Sequence, residues 1–543
     1  MAISHLDEPR EVWNWRVKCA VFVIGILGAS RGADEGIISG IESNKEWLRT
    51  YGIQDGSAAQ SNVVSMVQIG CVLGALLAFF VVDHLGRLRT SQVCILFWLA
   101  GITIWITSYR GGASGLAQVY AGRFVAGTGI GGTAVCVPTF LSEIAPKSRR
   151  GLAVNVYAAS VYLGILIGYF ANYGCQVHVP AESAKRWMVP VSINYLFGGT
   201  TLIGSLFLRE SPRWLLRRGH TKRAQSVLQY YRRLDLSHPY LVEEWKGMER
   251  EAETLAQQTR LRSIIALLTD GSQLYRLCAI GIAIQILSNW SGGGGSLTIY
   301  APRLLALVGV HSNSTLFTTG ILGVVKLLSA LTATFFLIDR LGRKRSVFIG
   351  ITLQGIAAVY LAAFLGATDL SSATLTGSEQ RGSIAAIVAI FVAGIGWTFG
   401  FNAISYLIGT EIFPLSTRAM ASSIIMVFHF VNQYGASRAL QPMLHTMQGY
   451  GLFTFNAVVC FFSIAYIALF IPETAGRSLE EMNSLFEGPW YRIGMLGSSL
   501  PASSSQHPRS HLVPVSELEQ GNGPDSADKK STLSVAEIKT CDA

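Results

Sequence analysis

Stretches of about twenty apolar residues recur twelve times along the chain, and no other feature constrains its fold as strongly. They run at 17–41, 61–82, 91–109, 116–142, 151–173 and 187–208. After a polar gap they resume at 276–309, 314–338, 346–366, 383–410, 419–442 and 450–471. A helix of about 20 apolar residues crosses a bilayer, and helices of that kind satisfy their own backbone where no water reaches. The expected fold class is an all-α membrane protein: twelve transmembrane helices in two six-helix halves, joined by a cytoplasmic helical linker. Composition agrees, since 14% of the 543 residues are charged and mean hydropathy is +0.39. Soluble chains average about 25% charged residues, and a larger core cannot absorb the deficit because surface still grows with size. A soluble enzyme is argued against before any motif is read. Residues 1–16 are polar with no small-residue cleavage site, so the first apolar segment is expected to act as its own anchor.

The net charge of +10, from 43 Lys and Arg against 33 Asp and Glu, would point to nucleic acid in a soluble protein. Its placement points elsewhere. Arg87, Arg89, Lys147, Arg149 and Arg150 follow the second and fourth segments; Arg340, Arg343, Lys344, Arg345 and Arg418 stand in the second half. The central loop 209–275 adds Arg213, Arg217, Arg232 and others, while the opposite loops are sparse and mixed (Glu42, Lys45, Glu46, Arg49; Glu182, Lys185, Arg186). This asymmetry is expected to set both termini in the cytoplasm, and it removes nucleic acid as a partner. The expected organisation is a cytoplasmic N-terminus at 1–16, six helices at 17–208, a linker of short amphipathic helices at 209–275, six helices at 276–471, and a mostly disordered tail at 472–543. The eight cysteines have no C-x-x-C spacing, so neither a metal nor a disulfide framework is implied. Asn313-Ser314-Thr315 is a glycosylation sequon in a short loop.

The two halves repeat one another. Asp83-His-Leu-Gly86-Arg87 returns as Asp339-Arg-Leu-Gly342-Arg343 at an offset of 256, and Glu143-Ile-Ala-Pro146 with Arg150 returns as Glu411-Ile-Phe-Pro414 with Arg418 at 268. Glu210 returns as Glu473 at 263. Parallel six-helix repeats are the signature of alternating-access carriers, with the substrate near the midplane between halves.

Further motifs carry a resemblance: Arg123 with Gly127, Gly129 and Gly131; Pro138, Glu143, Pro146, Arg150 and Gly151; Glu-Ser-Pro-Arg-Trp-Leu at 210–215; Glu411 to Arg418; and Pro-Glu-Thr-Ala-Gly-Arg-Ser-Leu-Glu-Glu at 472–481. Together they make the chain, over about 17–487, similar to sugar porters of the major facilitator superfamily, and most similar to fungal members including quinate-type carriers. The resemblance implies that Asp34 and Arg123 form the proton-coupling pair. Protonation of Asp34 would release Arg123 and shift the halves toward substrate binding; a purely structural ion pair is the alternative, and Glu35 or Arg31 could share in either. Charges at such depth face a partner or a cavity. The resemblance also implies a cytoplasmic gate of Asp83, Arg87, Glu143 and Arg150 with Asp339, Arg343, Glu411 and Arg418, made of modest surface-type pairs that break and reform. Orientation signals and loop caps are the other reading. His84 and Leu88 replace the usual arginines, so the first copy is expected to be the weaker.

The substrate positions depart from the pattern: the helix-5 Gln is Ala158, the helix-7 amides become Ser288-Asn289-Trp290-Ser291, and the helix-10 Trp is Tyr406. Gln285, Ser288, Asn289, Tyr300, Asn402 and Tyr406 remain as polar contacts for hydroxyls. Lys326, thirteen residues before Asp339, either snorkels or meets an anionic substrate. Gly292, Gly293, Gly294 and Gly295 are no phosphate cradle, lacking a following Gly-Lys-Ser/Thr; a gating hinge and close helix packing are both open. Gly127 to Gly132 follow no strand and are read as helix-packing residues rather than a dinucleotide fingerprint.

The resulting expectation is a carrier without catalytic activity or cofactor, a monomer in a lipid bilayer, of the plasma membrane. It would import a sugar, polyol or sugar acid with protons. A facilitative uniporter, a quinate or sugar-acid carrier, a fungal metabolite exporter and a nutrient sensor with a transporter fold are the alternatives.

Overall fold

Inside hydrocarbon the backbone finds no water, so each apolar segment coils into a helix that pairs its own N–H and C=O groups. The computed structural model describes residues 8–109, 111–256, 260–310, 312–337, 341–368, 377–402, 404–405, 412–473 and 486. The chain divides into the units Met1–Leu500 and Pro501–Ala543, and all of these residues lie in the first. Most of the expected tail, and with it Tyr406, Asp339 and Glu411, lies outside the described residues.

The first span is α1 (Trp15–Gly25) and α2 (Gly28–Glu42), with α3 (Lys45–Thr50) beyond it. Then come α4 (Ala58–Leu85), α5 (Arg87–Ile106), α6 (Gly112–Ile144), α7 (Arg150–His178) and α8 (Lys185–Leu206). The linker folds as α9 (Pro212–Arg217), α10 (Thr221–Arg232), α11 (Pro239–Ala256) and α12 (Arg260–Thr269). The seventh span is segmented: α13 (Gly271–Tyr275), a π-helical stretch at Arg276–Ile282, α14 (Ala283–Trp290), α15 (Gly295–Ile299) and α16 (Ala301–Leu307). Finally come α17 (Ser312–Thr332), α18 (Arg343–Ala367), α19 (Gly377–Trp397), α20 (Leu415–Thr446) and α21 (Gln448–Phe470). Among the described residues nine helices are long and apolar enough to span a membrane. With α8, the segmented span and α20 they make the twelve-helix fold. What dilutes the hydropathy of α20 is its polar residues, among them His429, Gln433 and Gln441, which turn toward the first half.

Small residues set the packing. A Cβ on Gly127 would lie 2.1 Å from the Val67 carbonyl oxygen of α4, and one on Gly129 would lie 2.4 Å from that of Cys94 on α5. So α6 is wedged between α4 and α5 as the packing reading requires. The halves meet where α4 packs on α20 and α7 on α17.

The duplication holds at the level of atoms. Gly86 (φ 98°) and Gly342 (φ 88°) each turn the chain into the next helix in a conformation that disfavours side chains. The Glu210 carboxylate accepts the Arg87 and Leu88 N–H groups at 3.0–3.1 Å, and Glu473 accepts those of Arg343 and Lys344 at 2.9 and 3.1 Å. The two glutamates, 263 residues apart in sequence, thus each supply acceptors to a helix N-terminus.

The N-terminal end of α1 touches the linker: Asn14 Nδ2 donates to the Tyr231 carbonyl at 2.7 Å. This end of the molecule is called the linker side below, and the other the far side.

Candidate functional site

Charge inside an apolar bundle must find charge. Arg123 of α6 donates to Asp34 of α2 through Nη1 to Oδ1 at 3.1 Å and Nη2 to Oδ2 at 3.2 Å, with the residues 1% and 3% exposed. The guanidinium also donates to the Val64 carbonyl at 3.4 Å and lies 4.9 Å from the Trp105 ring centroid. One ion pair therefore gathers α2, α4, α5 and α6.

One residue further along α2, the chain turns to the other half. Arg31 Nε pairs with Glu35 Oε1 at 3.1 Å, and its Nη2 reaches Gln433 Oε1 and His429 Nε2 of α20, each at 3.1 Å. Gln433 Nε2 returns to Glu35 Oε1 at 3.0 Å. His429 Nδ1 lies 2.8 Å from Gln285 Oε1 of α14. Arg31 and Glu35 thus form a polar joint between the halves. Sequence reading passes over His429 and Gln433, although two polar residues at i, i+4 in an apolar helix were a usable signal.

Of the expected substrate residues, Gln285, Asn289 and Asn402 lie beside His429, and Tyr406 lies outside the described residues. Gln285 Nε2 donates to the Ser405 carbonyl at 3.2 Å, Asn289 Nδ2 to the Gln285 carbonyl at 2.9 Å, and Ser288 Oγ to the same carbonyl at 3.0 Å. Tyr300 OH donates to Ser437 O at 3.1 Å. Asn402 lines a central cavity of about 30 Å³ with Arg31, Glu35, Tyr162, Thr298 and His429, room for little more than a water. Lys326 does not snorkel: it is fully buried and its Nζ donates to Thr298 Oγ1 at 2.6 Å, while Tyr169 OH of the first half donates to Thr298 O at 2.5 Å.

Between α14 and α15 the helix is interrupted at Ser291–Gly294, where Gly292 has φ 81°. A Cβ on Gly293 would meet Gln354 at 2.5 Å, and one on Gly295 would meet Gln433 at 2.5 Å. The helix is thus broken at these glycines and closely packed around them.

On the linker side, Arg87 pairs with Asp83 at 3.3 Å and with Glu143 at 3.1 Å. Ser211 Oγ donates to Glu143, and Trp214 Nε1 donates to the Asp83 carbonyl at 2.9 Å. The expected surface-type pair is instead buried at Arg87, because the Glu-Ser-Pro-Arg-Trp segment lies across it. Arg150 Nε finds no hydrogen-bond partner among the described residues. In the second copy Arg418 donates to the Phe413 carbonyl at 3.1 and 3.2 Å, and the Arg343 N–H donates to Glu473.

One linker contact was not anticipated. Arg232, buried, clasps Glu244 with two hydrogen bonds of 2.7 and 2.9 Å and donates to the Ile144 carbonyl at the end of α6 at 2.7 Å.

Residues 20–486 match the family described as "Sugar (and other) transporter". The quinate permease of Emericella nidulans is 30% identical over 493 residues, covering 89% of this chain and 91% of that protein. The quinate permease of Neurospora terricola is 30% identical over 495 residues, covering 88% and 90%. Among solved structures, the proton:xylose symporter XylE bound to 6-bromo-6-deoxy-D-glucose superposes with a TM-score of 0.72 at 19% identity, over 87% of this chain and 99% of that one. An inward-open form of the xylose transporter XylE from E. coli gives 0.67 at 18% identity, over 86% and 99%.

Proposed function

The chain belongs to the sugar transporter family, and from that membership we propose a proton-coupled symporter that moves a sugar or related polyhydroxy compound by alternating access. The linker side is the cytoplasmic side in this reading, and the membrane is the plasma membrane. The observation that carries it is the buried Asp34–Arg123 pair beside the joint between halves. Protonating Asp34 removes one charge of the pair and frees Arg123, so the arrangement of α2 against α4 and α6 depends on proton binding. Substrate hydroxyls then meet Gln285, Ser288, Asn289, Tyr300, Asn402 and Tyr406, with Gly292 to Gly295 as the hinge. Asp83, Arg87, Glu143, Arg150, Asp339, Arg343, Glu411 and Arg418 form the cytoplasmic gate. The carrier works as a monomer.

Purified protein in proteoliposomes with an imposed pH gradient tests coupling. Accumulation of a hexose, pentose, polyol or quinate above its equilibrium level is expected; equilibration alone would leave a uniporter.

A second reading has its own observation. Of the buried and part-buried charged side chains described around Asp34, two are acids (Asp34, Glu35) and three are bases (Arg31, Arg123, Lys326), and Lys326 is in none of the ion pairs found among the described residues. A substrate carrying one carboxylate would balance that charge, and the relatives named above are quinate permeases. Lys326→Met should then lower uptake of hydroxy acids at least about tenfold while sparing neutral sugars; equal effects on both would remove the acid reading.

A further inference from the structure

At the far side the two halves are joined by a cluster that has no counterpart in the gate motifs. Arg303 of α16 spends each arm of its guanidinium on a different residue. Nε pairs with Glu42 Oε1 at 2.8 Å, Nη2 pairs with Asp55 Oδ1 at 2.5 Å, and Nη1 donates to Gln441 Oε1 at 3.0 Å. Gln441 Nε2 of α20 closes the ring on Glu42 Oε1 at 2.8 Å. Glu42 and Asp55 belong to the first half, Arg303 and Gln441 to the second.

The position is as informative as the bonds. Outside the cluster lies a vestibule of about 840 Å³ whose walls include Asn172, Arg186, Asp55, Arg303 and Gln441. Inside it, along α2 and α15, lies the central cavity of about 30 Å³. Arg303 sits nine residues beyond the glycine break at Ser291–Gly294, on the part of the seventh span that a bend there would swing. Glu42 is 1% exposed, and its Oε2 finds no hydrogen-bond partner among the described residues. A carboxylate so buried is tolerable only while its counter-ion stays. Moving α16 outward therefore breaks three contacts at once and must deliver Glu42 to water.

We propose that Arg303, with Glu42, Asp55 and Gln441, is the latch of the far-side gate, which holds the vestibule and the central cavity apart until the seventh span bends. The latch rests on the carrier reading only for what passes through it.

Its test reads access rather than transport. Val161 lines the central cavity; Val161→Cys is labelled from the far side with a membrane-impermeant maleimide, against the background of the native cysteines. Adding Arg303→Gln should raise the labelling rate about tenfold, the scale of a typical coupling between sites. Arg303→Lys, which keeps the charge without the three-way fork, should fall between. Asp55→Asn with Gln441→Leu leaves Glu42 its counter-ion and serves if Arg303→Gln yields no folded protein; it should also label faster. Labelling at the wild-type rate in the folded variants overturns the latch. Because labelling needs no substrate, faster labelling in a protein that carries no tested solute keeps the latch and defeats the transport reading. Normal uptake with unchanged labelling does the reverse.

Discussion

An aspartate and an arginine held in bidentate contact at 3.1 and 3.2 Å, both nearly free of solvent, replace lost hydration with one another, so the two substitutions that break the pair should differ. Arg123→Leu strands a carboxylate in an apolar bundle, a loss on the order of 3–5 kcal/mol, and should deplete folded protein. Asp34→Asn is nearly isosteric and leaves Arg123 an amide oxygen, the Val64 carbonyl and the Trp105 face. It should fold and still equilibrate substrate. A gradient of one pH unit is worth about 1.4 kcal/mol per proton, or tenfold accumulation; in Asp34→Asn that ratio should fall to one. Accumulation matching wild type would show that the coupling proton binds elsewhere. Charges such as these stand out in an apolar sequence, which is why Asp34, Arg123 and Lys326 are legible without a fold. The contacts that join the two halves are not. Glu35 meets Gln433 and Glu42 meets Arg303 across hundreds of residues, and no local pattern encodes which helix of one half faces which of the other.

Helices were legible where hydrophobic length decided the matter, and less so where a span is assembled from pieces. The expected segment 276–309 is broken between α14 and α15, because glycine permits the positive φ at Gly292 and Gln354 supplies the lost pairing by donating to the Ser291 carbonyl at 2.7 Å. The glycines of α6 make a sharper case, since their meaning is distance. Alanine at Gly127 would place its Cβ 2.1 Å from the Val67 carbonyl oxygen, whereas alanine at Gly174 of α7 would meet nothing within 4 Å. Overpacking of that kind costs about 1–3 kcal/mol. Gly127→Ala should therefore lower the melting temperature of detergent-extracted protein, and Gly174→Ala should leave it or raise it slightly through the helix preference for alanine. Equal melting temperatures for the two would refute the close approach of α4 and α6.

The two halves and the linker form one mechanical system, since α10 is fixed to the end of α6 through Arg232 while α11 and α12 also pack on α20. The clasp between Arg232 and Glu244 gives that connection a pH dependence whose sign can be worked out. Burial pushes the Glu244 carboxyl up, but the charge and hydrogen bonds of Arg232, with Arg213 and Arg150 behind them, outweigh it and hold the group below the usual glutamate value. Between the folded and unfolded values the unfolded chain binds the extra proton. The contribution to stability is therefore complete above the ordinary glutamate pKa of about 4.3 and is lost as pH falls through the depressed folded value. Melting temperature should be flat in this respect above about pH 5 and fall below about pH 4. Other carboxylates titrate in the same range, so the informative quantity is a difference. Replacing both partners, Arg232→Met with Glu244→Leu, removes the clasp without stranding a charge. That variant should lose less of its melting temperature between pH 5 and pH 3.5 than wild type does, by a margin corresponding to about 1 kcal/mol. Parallel curves for the two proteins would mean that the Arg232–Glu244 clasp contributes no pH-dependent stability, and that acid acts on the carrier through other groups.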